Sequence, residues 1–322
     1  VTVNTATFTL GVTPATLQLN DDTMLFKDDG VTRAALSDIK TDEILAIELD
    51  AKGAITKITI RSLPRLITVN GVSYLAANEY GKDGEMTSQK ISSKAADENA
   101  AIVDNGAEVG FDGASIERVS ADSAGGAASA AYGVGAGLLA ADGKAFVKGS
   151  TVTTDAAGGS GLFSYGSGRT YAADTAVSTK QADSAGLSSS AGGKMYVWDM
   201  TVSTAGENSA AIAAAAGGKT VADGGKYSTE GKNSPAVSSR GETSLNGAAL
   251  TAKASEAARV EGANALYVFD SDLSGGMTGA GARTVLVYNS GEVPSGGVTA
   301  FKMTGGSLAS AGGGVIYATN AK

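Results

Sequence analysis

Residues 161–235 are three segments of 25 residues laid end to end: GLFSYGSGRTYAADTAVSTKQADSA, GLSSSAGGKMYVWDMTVSTAGENSA and AIAAAAGGKTVADGGKYSTEGKNSP. Leu162, Leu187 and Ile212 occupy one column, and Val237 continues it at the same step. Val152, Val177, Val202 and Tyr227 occupy a second. A unit this short cannot bury an apolar face by itself, so it must stack on neighbours of the same kind. The period therefore points to a solenoid before any single residue is considered.

Each copy holds two or three short strand-like pieces separated by turn residues. In the middle copy they are residues 186–189, 195–198 and 200–204. Three strands per coil is the pattern of a parallel β-helix, in which successive coils pair strand to strand at about 4.8 Å. The handedness rule for parallel crossovers favours the right-handed form. Composition agrees: 45 glycines and only 6% aromatic residues suit a narrow interior with frequent turns rather than a helical bundle. The two aliphatic columns are expected to point inward.

The period can be followed outward from the clear copies. Leu138 lies 24 residues before Leu162, Leu250 lies 23 after Tyr227, and Leu273 lies 23 after Leu250. Residues 305–308 (GGSL) echo residues 224–227 (GGKY). Residues 101–322 are thus assigned to the β-helix, with residues 121–137 as an insertion. Residues 1–66 differ: they hold fewer glycines and more large aliphatics, and residues 44–49 and 55–60 alternate as a β-hairpin. They are read as a small all-β domain. Residues 67–100 are read as a junction or cap, with a hairpin across Asn70-Gly71, and with residues 77–99 as a loop or a short helix around residues 92–99.

A third column holds Asp183, Asn208 and Asn233, followed by Ser184, Ser209 and Ser234. Asn and Asp tolerate left-handed backbone and bond to nearby main chain, and stacked Asn side chains can bond to one another. The column is read as a structural corner ladder, with a ligand site as the weaker alternative.

The repeats resemble the β-helix region of secreted, adhesin-like bacterial proteins often described only as carbohydrate-binding-domain-containing. The matching stretches are GLFSYGSG (161–168), TVST with GENSAAI (201–212), DGGKYSTEGKNSPAV (223–237), LTAKASEAARVEGAN (250–264) and MTGGSLAS (303–310). Residues 36–60 resemble the small β-domain that often precedes such helices. The resemblance implies an extracellular location and an adhesive or structural role, and it carries no catalytic motif.

The net charge is −8, with Lys and Arg scattered and no basic run, which argues against nucleic-acid binding. Absence of Cys and His excludes disulfides, thiolate metal sites and a Ser-His-Asp triad. No apolar run is long enough to span a membrane. Val1 opens directly in a strand-like pattern, as in a secreted protein whose signal has been removed or in an excised domain.

Among the acidic residues, Asp174 and Asp199 are expected to stack on successive coils, but no Asp doublet or His accompanies them, so hydrolysis by paired carboxylates is disfavoured. Asp270 and Asp272 form a DxD that could ligate Ca²⁺, although a turn is the better reading. No cofactor is expected. Tyr165 and Trp198 are the aromatics that could contact a glycan from an outward face.

The sequence is therefore read as a non-enzymatic, extracellular surface protein with a structural or adhesive role. Its partners are expected to be copies of itself, through strand edges left open at its ends, with surface glycans as a further candidate. Val1, Val3, Phe8 and Leu10 mark a strand that could complete a neighbouring copy. The alternative is a carbohydrate-binding β-helix or a degenerate polysaccharide lyase or hydrolase.

Overall fold

The computed structural model describes residues 2–3, 15–16, 19, 23–27, 31–39, 44–61, 65–119, 127–291 and 297–321. The chain divides into two compact units, residues 1–64 and 65–322. The boundary thus falls two residues before the one expected, because the strand Arg65–Val69 pairs with Val72–Ala76 inside the second unit.

In the first unit, Ile44–Leu49 pairs antiparallel with Ile55–Arg61, as the alternation indicates. Asp50 closes the connecting turn by accepting from the Lys52 and Ala54 N–H groups, each at 2.8 Å. Met24–Phe26 adds in parallel, and Leu25, Ile55 and Ile58 form a small core. Thr2–Val3 pairs antiparallel with Ala15–Thr16. Val1, Phe8 and Leu10 lie outside the described residues.

The second unit is a parallel β-solenoid of about 25 residues per coil. Each coil contributes one strand to each of three parallel sheets. Sheet A contains Leu162–Tyr165, Leu187–Ser190, Ile212–Ala214 and Val237–Ser239. Sheet B contains Lys144–Lys148, Arg169–Ala173, Lys194–Trp198 and Lys219–Asp223. Sheet C contains Thr151–Asp155, Ala176–Thr179, Thr201–Thr204 and Lys226–Thr229. Among the described residues they run to ten, nine and nine strands.

The aliphatic columns are in register and point inward. Leu162, Leu187, Ile212 and Val237 are Cα partners in turn and are all 0% exposed. Val152, Val177, Val202 and Tyr227 stack likewise on sheet C and continue through Leu250, Leu273 and Leu308. Sheet B supplies Phe111, Val147, Ala172, Val197, Ala222, Leu245 and Val268. All but the partly buried Leu308 are buried members of one core cluster. Each fully buried aliphatic side chain contributes roughly 1.5–3 kcal/mol. Stacking small residues opposite large ones keeps the interior narrow.

Polar ladders hold the corners. Between sheets B and C the chain turns through a left-handed residue, Asp174, Asp199 and Gly224 in successive coils (φ 49°, 48° and 67°). The Asp199 carboxylate lies over Gly224, in space a Cβ there would need. Between sheets C and A, Asp183, Asn208 and Asn233 are again left-handed (φ 57°, 55° and 53°). The serines after them are buried. The Ser184 N–H donates to Ser209 Oγ at 3.0 Å, and the Ser209 N–H donates to Ser234 Oγ at 2.9 Å. Inward Thr179 and Thr204 donate to the Ser184 and Ser209 carbonyls at 2.6 and 2.5 Å. These bonds satisfy main chain that would otherwise be buried without partners.

Two features depart from the sequence reading. Residues 79–93, expected in the junction, already form coil strands: Glu79–Tyr80, Gly84–Thr87 and Lys90–Ser93 pair with the next coil in all three sheets. The helix considered around residues 92–99 does not form. An end coil packs apolar residues on one side only, which weakens its sequence signature. The hairpin across Asn70-Gly71 is present, with both turn residues at positive φ (51° and 79°), the geometry a two-residue hairpin turn requires. It joins the helix Ala127–Tyr132 of the insertion in covering the outer face of sheet A, where Ile67, Val69, Tyr74, Ile102, Leu139 and Phe163 form a second core cluster.

Candidate functional site

The outward residues give the three sheets different chemistry. On sheet C, Thr153, Ser178, Ser203, Ser228, Thr251 and Ser274 form a continuous hydroxyl column.

On sheet A the outward column runs Ile102, Leu139, Phe163, Ser188, Ala213, Ser238 and Arg259. Its first part is covered. Where the cover ends, the small residues Ser188, Ala213 and Ser238 line a groove of about 220 Å³. Ala130 of the helix also lines it, together with the Asp183, Asn208 and Asn233 corner and with Arg240 and Arg259. The corner ladder is thus a structural feature that also faces the groove.

Both arginines are held by buried acids. Arg259 Nε donates to Glu256 Oε1 at 2.6 Å, and its Nη2 donates to Asn233 Oδ1 at 2.6 Å. Arg240 Nε meets Glu261 Oε2 at 3.0 Å. Burial raises the Glu256 carboxyl, but Arg259 and, at 3.7 Å, Arg283 outweigh it and hold it below the ordinary carboxylate range. Tyr288 donates to Glu261 Oε2 at 2.8 Å, and burial followed by that carboxylate pushes its hydroxyl up to about 12. With its cations already paired, the groove offers hydrogen-bonding groups rather than net positive charge.

On sheet B, Phe146, Tyr171 and Tyr196 stack outside the solenoid. Their ring centroids are 5.1 and 5.4 Å apart and the planes lie within 9° and 12°. Lys144, Arg169, Lys194 and Lys219 form the adjacent outward column. Lys144 pairs with Glu108 at 2.5 Å and Lys219 with Glu242 at 2.6 Å, at the two ends of the column. These ion pairs raise the pKa of both lysines. On the other side of the ring stack Trp198 is 41% exposed, between Ala173 and Asp223 in register.

The sequence reading found Trp198 but missed the rings and cations beside it. The signal was present: Tyr171 and Tyr196, and Arg169, Lys194 and Lys219, recur at the same 25-residue step as the aliphatic columns. A search for basic runs along the chain cannot see residues that become neighbours only by stacking. Tyr165 is not on an open face. It is 8% exposed and meets Tyr132 of the covering helix edge to face at 5.6 Å. The cover is the reason, since alternation along a strand reports which way a side chain points and not what lies over it.

The two carboxylates of the DxD sit at and beside a corner. Asp270 is a left-handed corner residue (φ 45°) whose carboxylate lies over Gly305. Ser271 between them is buried, and Asp272 accepts from Ser307 Oγ at 2.6 Å. Among the described residues no three His, Cys, Asp or Glu side chains gather into a group that could hold a metal ion. No helix among them is long and apolar enough to cross a membrane.

Fold and faces together define a parallel β-solenoid with one partly covered, grooved face, one hydroxyl-lined face and one aromatic–cationic face. Comparison with protein-family models, with curated proteins and with solved structures gives no match for this chain.

Proposed function

We propose that this chain is a rigid structural and adhesive element of the bacterial cell exterior, without catalytic activity, whose solenoid joins copies of itself end to end. The observation that carries the reading is the state of the sheet ends. Glu79–Tyr80, Gly84–Thr87 and Lys90–Ser93 end the three sheets on one side, and Ala300–Thr304, Ser307–Ser310 and Ile316–Thr319 end them on the other. Unpaired strand edges recruit further strands unless they are covered. Among the described residues, the apolar side chains only partly buried against the main core are Tyr80, Met86, Phe301, Met303, Leu308 and Ala321, all from these first and last coils. A second copy, or further coils of a longer chain, would bury them.

Light scattering and electron microscopy over a range of concentrations test the assembly. The expected result is rods that lengthen with concentration and are lost in Ala318→Pro, which removes an edge donor. Monodisperse monomers at every concentration would overturn it. Surface accessibility to an antibody on intact source cells tests the location.

A second reading, carbohydrate binding, is favoured by the half-exposed Trp198 beside stacked aromatics on an open sheet face. Loss of glycan binding in Trp198→Ala would support it.

A further inference from the structure

In a chain of net charge −8, the middle of the outward face of sheet B runs against the average. Over its strands Lys144–Lys148, Arg169–Ala173, Lys194–Trp198 and Lys219–Asp223, the outward positions carry five cations (Lys144, Lys148, Arg169, Lys194, Lys219) and one carboxylate (Asp223). Glu108 and Glu242 close the column at its two ends by pairing with Lys144 and Lys219, with Arg169 and Lys194 between them. Coil stacking spaces the cation column at about 4.8 Å per step. A row of this kind suits a linear polymer with charges at regular intervals better than a single small anion.

The rings decide which polymer. The stacked faces of Phe146, Tyr171 and Tyr196 are turned to one another, so the column presents ring edges and phenolic hydroxyls. Ring edges carry the positive part of the aromatic quadrupole, and the hydroxyls donate hydrogen bonds. Both favour anionic and hydroxylated groups. The stack turns its inner ring faces to one another and leaves at most the two outer ones, whereas single-strand binding lays successive bases on successive aromatic faces. Trp198 has Ala173 and Asp223 as its register neighbours, so no second ring stacks on it, and it can meet the apolar face of a sugar.

We infer that the aromatic–cationic face of sheet B docks an acidic polysaccharide along the solenoid axis, with carboxylate or sulfate groups on the Lys and Arg column and a sugar ring against Trp198. The inference rests on the carbohydrate-binding reading above and names the class of glycan and the face that takes it. It is independent of end-to-end assembly.

Affinity electrophoresis and calorimetry of the full chain with polygalacturonate and alginate test it, with neutral dextran, poly-glutamate and single-stranded DNA as comparisons. Binding of the acidic polysaccharides that weakens with salt is expected. Lys194→Glu should lower the affinity about tenfold or more, a change of about 1.4 kcal/mol or more. Lys226→Glu makes the same charge change on sheet C and should leave the affinity unchanged. Trp198→Ala should weaken binding without altering its salt dependence. Melting curves establish that each variant is folded.

Dextran bound as tightly as polygalacturonate would overturn the anionic specificity while leaving carbohydrate binding standing. Equal binding of poly-glutamate or DNA would overturn the glycan assignment. Equal losses in Lys194→Glu and Lys226→Glu would overturn the choice of face. Binding to no polysaccharide would overturn this inference and the carbohydrate-binding reading together.

Discussion

The side-chain amide of Asn233 donates to Oδ1 of Asn208 at 2.6 Å, across one coil step, while both residues hold left-handed backbone. The pair shows why an amide suits this corner. It tolerates positive φ and can bond along the stack, and Arg259 then bonds to Asn233 from the next coil.

Asn208→Ala should therefore lower unfolding free energy by about 1–2 kcal/mol, since it loses the ladder bond and strains the backbone. Asn208→Gly keeps the backbone relaxed and should cost less. Urea titration of the two variants decides the matter. Equal losses would mean that left-handed geometry is not what selects the residue.

Leu187 is 0% exposed between Leu162 and Ile212. Leu187→Ala should destabilise by about 2–5 kcal/mol through lost burial and a cavity. Thr201→Ala, at an exposed outward position on sheet C, should stay within about 0.5 kcal/mol of the parent. Denaturant midpoints at constant slope check both.

Tyr227 continues a column of valines, and its buried hydroxyl finds no hydrogen-bond partner. Burial pushes that hydroxyl's pKa up. Gly225 makes room for it, at a corner position where the preceding coil carries the buried Met200. Tyr227→Phe should leave stability unchanged or raise it by up to ~1 kcal/mol, because removing an unsatisfied buried group costs nothing in hydrogen bonding. A clear loss in calorimetric Tm would show that the hydroxyl is bonded after all.

Glu256 links acid stability to the end of the groove. Its folded pKa is depressed, so its contribution is complete above the unfolded carboxylate value of about 4.3 and is lost as pH falls through the lower folded value. Glu256→Gln should flatten that acid limb. It should also cost roughly 1–3 kcal/mol at neutral pH, where Arg259 and Arg283 lose their shared carboxylate. Unfolding free energies measured from pH 3 to 7 (roughly the range over which carboxylates titrate) would show whether the parent and variant curves converge towards acid.

The inward columns were legible because every coil must fill the same slot with an apolar side chain, so Leu162, Leu187 and Ile212 repeat at fixed spacing. The corner residues were legible for a related reason, since a left-handed position accepts few residue types. The first coil was harder to see, because Tyr80 and Met86 pack against one neighbouring coil and tolerate more polar company. Of the candidate site, Trp198 was visible as a residue, and its surroundings were visible only to a reader who applied the repeat to outward positions.

The sequence by itself determined the period, the strand order within each coil and the register between coils, because a one-residue slip would turn every inward side chain to solvent. Tertiary structure alone decided which outward residues are available. It covered Phe163 and Tyr165 with the Asn70-Gly71 hairpin and the helix Ala127–Tyr132, and left Trp198 on an open part of the surface. Outward positions carry no packing requirement of their own, so their environment depends on segments distant in the chain, and only the folded molecule brings those segments to them.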